Sequence, residues 1–254
     1  IEYNRELAKQ RAEDESRRAD MKQHADKLIQ GFEKLEESHA KRAIWELFQN
    51  AIDLSENCEI IIELKDDCLS FKHNGKPFTS KTLSCLIKQV SSKNTHDNND
   101  EVGQYGTGFI CTHSFGKKIL LSGSLKEGDY YIPIVDFEID RIAANADPDL
   151  INKLICQQKN VFELIENGEL KRECTPYTTF SYQTISELEK QYAIKAVESL
   201  EIILPYVMMV NNKLKQVKVY DKNGKETIYC KNETHLIDDI SVTSIQINET
   251  RKEI

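Results

Sequence analysis

The chain has no excess of positive charge. Its 42 Asp and Glu outnumber 34 Lys and Arg, a formal net charge of −8. That balance argues against direct, sequence-independent nucleic-acid binding by these residues, because neutralising phosphates needs basic surface. No apolar run is long enough to cross a bilayer, and no signal peptide opens the chain, so a membrane is not an expected partner. No C-x-x-C occurs among the seven cysteines (58, 68, 85, 111, 156, 174 and 230). An odd, scattered set reads as reduced, mostly buried thiols of a cytoplasmic protein, not as a disulfide framework. No internal repeat is present. Asn232-Glu233-Thr234 and Asn248-Glu249-Thr250 fit the glycosylation pattern, a match short enough to arise by chance. The first residue is Ile1 and the last stretch is charged, so the expectation is a piece of a larger protein with downstream domains. A length of 254 residues suits one large domain, or one domain with appendages, and a sizeable core.

What is present reads as alternating helices and strands. Residues 4–36 are rich in Glu, Lys, Arg, Ala and Gln, with no Pro and a single Gly at 31, and predict one long helix or two. Ser38 is the expected cap of a following helix through Trp45. Ile60–Leu64 and Cys68–Lys72 alternate as strands around Asp66-Asp67. Thr82–Val90 reads as a short helix. Ile119–Ser124 and Tyr130–Glu138 read as a hairpin around Gly128. Asp147–Gln157 and Ser186–Ile203 read as helices. Leu214–Tyr220 and Glu226–Cys230 read as a hairpin around Asn223-Gly224, and Ser241–Asn248 as a last strand. The predicted class is α+β: a two-layer sandwich of a mixed β-sheet covered on one face by helices.

Three segments carry chemistry. In Trp45-Glu46-Leu47-Phe48-Gln49-Asn50-Ala51-Ile52-Asp53, the residues Glu46, Asn50 and Asp53 fall at i, i+4 and i+7, one face of a helix. Two carboxylates and an amide there offer oxygen ligands to a hard cation, and a carboxylate one turn before the Asn is placed to activate water. The same face would suit an ordinary solvated helix. Next comes Phe71-Lys72-His73-Asn74-Gly75-Lys76-Pro77-Phe78, and then Val102-Gly103-Gln104-Tyr105-Gly106-Thr107-Gly108-Phe109. Three glycines in six residues let backbone N–H groups approach an anion closely, ahead of an apolar run able to begin a helix.

In that order and spacing, the motifs resemble the GHKL superfamily (the Bergerat ATP-binding fold), which includes DNA gyrase B, Hsp90, sensor histidine kinases, MutL and MORC proteins. Gly103–Phe109 is most similar to the Hsp90 form of the loop. The motif-bearing resemblance runs from about residue 35 to 125 and continues more weakly to about 220. It implies an N-terminal helical extension at 1–36 and an ATP-binding domain at 37–220 with a lid at about 91–102. Residues 221–254 would then be strands completing the domain or leading onward.

The resemblance also implies roles. Glu46 matches the general base. Asn50 matches the Mg²⁺ ligand beside the phosphates, and Asp53 a supporting pocket residue. Gly75 matches the glycine that lets adenine approach the backbone. Gly103, Gln104, Tyr105, Gly106, Thr107 and Gly108 match the phosphate loop, with Phe109 packing behind it. Lys93, in the lid, is placed to reach a phosphate as a point charge. A Thr on a later strand is expected at the terminal phosphate, and Thr179 is the choice within Thr178–Tyr182. One departure stands out. The family has Asp where this chain has His73, and that Asp accepts a hydrogen bond from the adenine amino group. A neutral His preserves this only with an unprotonated ring nitrogen facing the base; Asn74 is the other local acceptor. His73-Asn74-Gly75 followed by Pro77-Phe78 resembles sacsin-like members.

Glu46, where histidine kinases carry Asn, favours hydrolysis over phosphotransfer. His24 and His39 lack the flanks of a phosphoacceptor and read as exposed helix residues. The expected function is a slow, Mg²⁺-dependent ATPase switch, an engine shared by chaperone-like proteins, chromatin-type clamps, DNA repair and phage defence, with homodimerisation through the N-terminal helix or the lid, or with that helix capping its own domain. The alternatives are a nucleotide-binding module without turnover and a scaffold that has lost the nucleotide.

Overall fold

The computed structural model describes residues 4–89, 105–232, 235–237 and 240–251. The chain begins with α1 (Arg5–Glu33), a single helix capped by Asn4, whose side chain accepts from the Leu7 N–H at 3.1 Å. Its first half is exposed. Burial starts at Met21 and repeats at Ala25 and Leu28, at i, i+4 and i+7, so only the second half docks. Arg18 donates to Asn152, and Lys88 donates to Asp20 at 2.9 Å, fixing that half to its own domain. His24 is half-buried beside Asp20 rather than free in solvent.

The next helix, α2 (Glu37–Asp53), starts one residue before Ser38, which therefore is not its cap. Glu36 takes the cap position, and the His39 ring accepts from the Glu36 N–H at 3.4 Å. That contact gives His39 a local structural role. The rest of the chain adds β1 (Cys58–Leu64), β2 (Cys68–His73), α3 (Ser80–Lys88) and a 3₁₀ helix at Thr107–Ser114. Then come β3 (Lys118–Glu127), β4 (Tyr130–Asp140), α4 (Ile151–Asn167), β5 (Thr178–Gln183) and α5 (Glu187–Val210). β6 (Leu214–Tyr220), β7 (Lys225–Lys231), β8 (His235–Ile237), β9 (Ile240–Val242) and β10 (Ile245–Arg251) close the chain.

Eight strands form one sheet in the order β10-β7-β6-β1-β2-β5-β3-β4, and β8 pairs with β9 apart from it. The sheet is mixed, because β1 pairs in parallel with β6 and antiparallel with β2. The expected α+β class is observed. The hairpin turns fall where expected, with Gly128 and Gly224 both at positive φ, a backbone region that costs glycine little. Several boundaries differ from expectation, among them α4, which runs to Asn167 where Gln157 was the expected end. The last alternating run is split at 243–244 between β9 and β10. α5 continues to Val210 through Pro205, although proline removes a helical N–H. Leu204 and Met208, both buried, hold the turns on either side.

Register shows why one face of the sheet is the core. Ile62 lies opposite Phe71, Phe71 opposite Phe180, and Phe180 opposite Leu121, all fully or nearly fully buried. Leu64, Leu69, Tyr182 and Ile119 make the next row, and Ile60, His73 and Thr178 the row at the other end. α2 lies over this face, with Phe48 edge-on to Phe71 at 5.6 Å between ring centroids. α5 packs on α2, β1, β6 and β7. Its cap is reciprocal: Ser186 Oγ accepts from the Glu189 N–H, and Glu189 accepts from the Ser186 N–H. Arg141, fully buried at the end of β4, donates to Gln157 Oε1 and to the Ile87 carbonyl, both at 2.6 Å. It thereby ties β4, α3 and α4 together. No helix among the described residues is long and apolar enough to cross a membrane.

Candidate functional site

α2 positions the first group. Ala43, Ile44, Leu47, Phe48 and Ala51 bury its apolar stripe, which sets Glu46 and Asn50 at the edge of the buried face. Glu46 is directed by two neighbours. Arg42, one turn earlier, donates to Glu46 Oε1 from Nε at 3.0 Å and from Nη2 at 2.7 Å. On the other side, a Cβ placed on Gly108 would lie 2.7 Å from Glu46 Oε2. The carboxylate therefore rests against the glycine segment, and that contact leaves no room for a side chain at 108. Arg42 is 68% exposed and Glu46 13%. The ion pair thus sits where a solvent-facing arginine reaches down to a sheltered carboxylate. Arg42 was not picked out from the sequence, although an Arg–Glu pair at i, i+4 is a readable signal.

Asn50 is 6% exposed, and its Nδ2 makes no hydrogen bond among the described residues. A buried, unpaired amide costs free energy. Asp53 is the last residue of the helix and is half-buried.

The glycine segment enters the core at Tyr105. Gly106 precedes the 3₁₀ helix, which begins at Thr107 and encloses Gly108 and Phe109. Tyr105 and Phe109 are both buried, with ring centroids 5.2 Å apart. Tyr105 also stacks on Phe78 at 5.5 Å, and Phe109 lies 5.8 Å from Phe180. The phenol of Tyr105 thus serves the core, and burial pushes its pKa up. Any contact from residue 105 to a ligand falls to its backbone. Lys93, Gly103 and Gln104, and the expected lid at about 91–102, lie outside the described residues.

His73 ends β2 on the buried face, 2% exposed, stacked against Phe180 at 6.2 Å and 22°. Its Nδ1 lies 3.1 Å from the Gly75 backbone N, which donates to it. Asn74 is engaged twice: Oδ1 accepts from the Glu59 N–H and Nδ2 donates to the Asn57 carbonyl, each at 2.9 Å. A Cβ at Gly75 would meet Leu54 Cβ at 2.7 Å, so glycine here lets the β2 exit pass beneath the end of α2.

Thr179 pairs with Lys72 on the half-buried face of the sheet, away from this cluster. Thr178 pairs with His73 and is 3% exposed. Strand alternation makes Thr178, not Thr179, the threonine that shares a face with His73. Its phase with Phe180 and Tyr182 was the available signal.

The buried histidines make the fold acid-sensitive. Burial holds His73 down at about 4, and burial with Arg141 and Lys117 nearby holds His113 at about 3. Both values lie below the ordinary 6.5, so protons bind the unfolded chain more readily. Stability should be intact above about pH 6.5 and fall as the pH drops towards 4, by up to about 3 kcal/mol per histidine. Thermal melts across that range test this. A flat profile, or an unchanged slope in folded His73→Asn, would remove His73 as a contributor.

No group of three or more His, Cys, Asp or Glu among the described residues could hold a metal by itself. Mg²⁺ is commonly held by one or two protein oxygens together with substrate phosphates. Asn50 would join such a set only through Oδ1; its unpaired atom is Nδ2, a donor, which suits an anion's oxygen and not a cation. No protein-family model matches this chain, and no curated protein matches it.

Proposed function

We propose that this domain binds a purine nucleoside triphosphate with Mg²⁺, ATP by its resemblance to the GHKL superfamily, and hydrolyses it slowly as a switch within a larger protein. The observation that carries the reading is the contact of Glu46 Oε2 with Gly108, one turn from the buried Asn50, whose Nδ2 donor has no partner among the described residues. The ion pair with Arg42 accounts for Oε1 but not for Oε2, which is pressed on the glycine turn and forbids a Cβ there. That placement has a chemical rationale. Backbone N–H groups at Gly106 and Gly108 would hold phosphate oxygens, and Glu46 would orient water and accept its proton for in-line attack. Asn50 Oδ1 would hold Mg²⁺, which when bound neutralises charge on the phosphates. Arg42 would hold Glu46 aimed at the turn.

The single experiment is a calorimetric titration with non-hydrolysable nucleotide analogues, with and without Mg²⁺. Binding should require Mg²⁺ for full affinity. Asn50→Ala should lose most of that dependence, weakening Mg²⁺-supported binding roughly tenfold or more, as loss of a ligand group does. Equal affinity with and without Mg²⁺ in the unaltered protein would refute the role of Asn50. A second reading, binding without turnover, is favoured by one feature: Arg42 occupies Glu46 Oε1 with two hydrogen bonds. Binding with no phosphate release over long incubation would select it.

A further inference from the structure

We propose that the last two turns of α5 pair antiparallel with the same turns of a second copy of this chain, making a weak symmetric dimer. Residues 202–210 read Ile-Ile-Leu-Pro-Tyr-Val-Met-Met-Val, nine positions without a charged side chain. A helix that is apolar all round is stable when it is covered all round. This one is covered on one side. Leu204 and Met208 are buried. Ile202, Ile203, Tyr206, Met209 and Val210 are 72, 41, 68, 51 and 84% exposed. At about 100° per residue, these five fall within about one third of the helix circumference, so they form one stripe. Two turns before Ile202 the same arc is polar: Lys195 donates to Glu37 of α2 at 3.2 Å. The apolar surface also continues onto the sheet. Ile247, on the edge strand β10, is 46% exposed. Its register partner Tyr229 lines the groove beneath α5 with Val197 and Leu200, so Ile247 shares the α5 side of the sheet.

Charge and area select the occupant. Glu198 and Glu201 are exposed at the N-terminal end of the stripe, on its groove side. Lys231 reaches the C-terminal end from β7, donating to the Met209 and Asn211 carbonyls at 3.2 and 3.0 Å, and Lys213 follows in the next turn. The stripe thus has an acidic end and a basic end. A second copy laid antiparallel, with the two-fold at Tyr206, sets each acidic end beside the other copy's basic end. A parallel copy would bring the two acidic ends together. The same glutamates, and a formal net charge of −8, disfavour an anionic lipid surface. The five side chains expose on the order of 600 Å², the upper end of what a monomer commonly leaves open. Two copies would bury roughly 1,200 Å², the lower end for a specific interface. The exposed first half of α1 offers no comparable face, since Leu7 is the one large apolar side chain exposed on that helix.

Sedimentation velocity at rising protein concentration tests this. We expect a reversible monomer–dimer equilibrium with a Kd on the order of 10 µM. Tyr206→Glu changes an exposed position and sets like charges against each other at the two-fold. It should weaken association roughly a hundredfold and leave the thermal melt unchanged. Tyr206→Cys reads the orientation: mild oxidation should give a 206–206 disulfide, because a two-fold at this residue brings both copies of it within bonding reach. Peptide mapping, with the parent oxidised alongside, separates that bond from any made by the exposed Cys156 and Cys174. A parent that stays monomeric at every concentration would overturn the proposal. So would a dimer that persists undiminished in folded Tyr206→Glu, or one that forms without the 206–206 bond. A monomer that floats with phosphatidylcholine vesicles would assign the stripe to a lipid surface and overturn it as well.

Discussion

Replacing Glu46 by Gln should lower phosphate release on the order of 10²- to 10⁴-fold while leaving nucleotide affinity and thermal stability close to those of the parent. The substitution is chosen for what it preserves. The Gln carbonyl oxygen can still accept from Arg42, whose two donors lie 3.0 and 2.7 Å from Glu46 Oε1. The second position of the side chain still fits against Gly108. What is lost is the capacity of that second atom to accept a proton from water. A structural role for Glu46, as half of an exposed-side ion pair, predicts something different. Such pairs contribute about 0–1 kcal/mol, so loss of the charge would shift the melt slightly and leave any hydrolysis alone. Phosphate release and calorimetric affinity, measured on the same preparation, separate the two. Unchanged turnover in the Gln variant would eliminate Glu46 as the base.

The motif helix was readable because two signals coincide on it. The apolar period through Ala43, Leu47 and Ala51 and the polar spacing of Glu46 and Asn50 describe the same 3.6-residue turn, and both appear in α2. The late hairpin was readable from Asn223-Gly224, which supplies its own turn. Other features depend on what the chain meets in space. Thr178 and Thr179 are the same residue type side by side, and only the phase of β5 decides which one faces His73. The protonation of His73 depends on a backbone N–H two residues away, brought to 3.1 Å by the chain reversal at Gly75. That reversal is in turn set by contact with Leu54, across the β1–β2 hairpin. Ser38 looks like a better cap than Glu36, but the helix begins where His39 can reach back to the Glu36 N–H. Sequence pattern locates elements and motif faces. Register, tautomer and cap choice belong to the packed structure.

Phe180→Ala should be the most damaging single change for the fold, and it tests whether the candidate site stands on the aromatic core beneath it. Phe180 is nearly fully buried on the central row of the sheet, opposite Phe71 and Leu121. Its ring centroid lies 5.8 to 6.4 Å from those of Phe109, Tyr105, His73 and Phe78. It therefore touches both segments that carry the site, the glycine turn and the end of β2. Deleting it leaves a cavity whose walls are rings on separate elements, which cannot easily collapse together. The expected cost is about 3–5 kcal/mol. For a domain of this size that is a fall in Tm of roughly 6–20 °C. Phe180→Leu, which keeps much of the volume, should cost less than half as much. The damage should reach function in a defined order. His73 loses the ring stacked against it, so any nucleotide affinity should fall at temperatures where the variant is still folded. The Glu46–Gly108 contact, held from α2, should outlast it. A Phe180→Ala protein that melts within about 3 °C of the parent and keeps its nucleotide affinity would show that the aromatic cluster is not the platform of the site. The positioning of His73 would then have to come from the Gly75 contact alone.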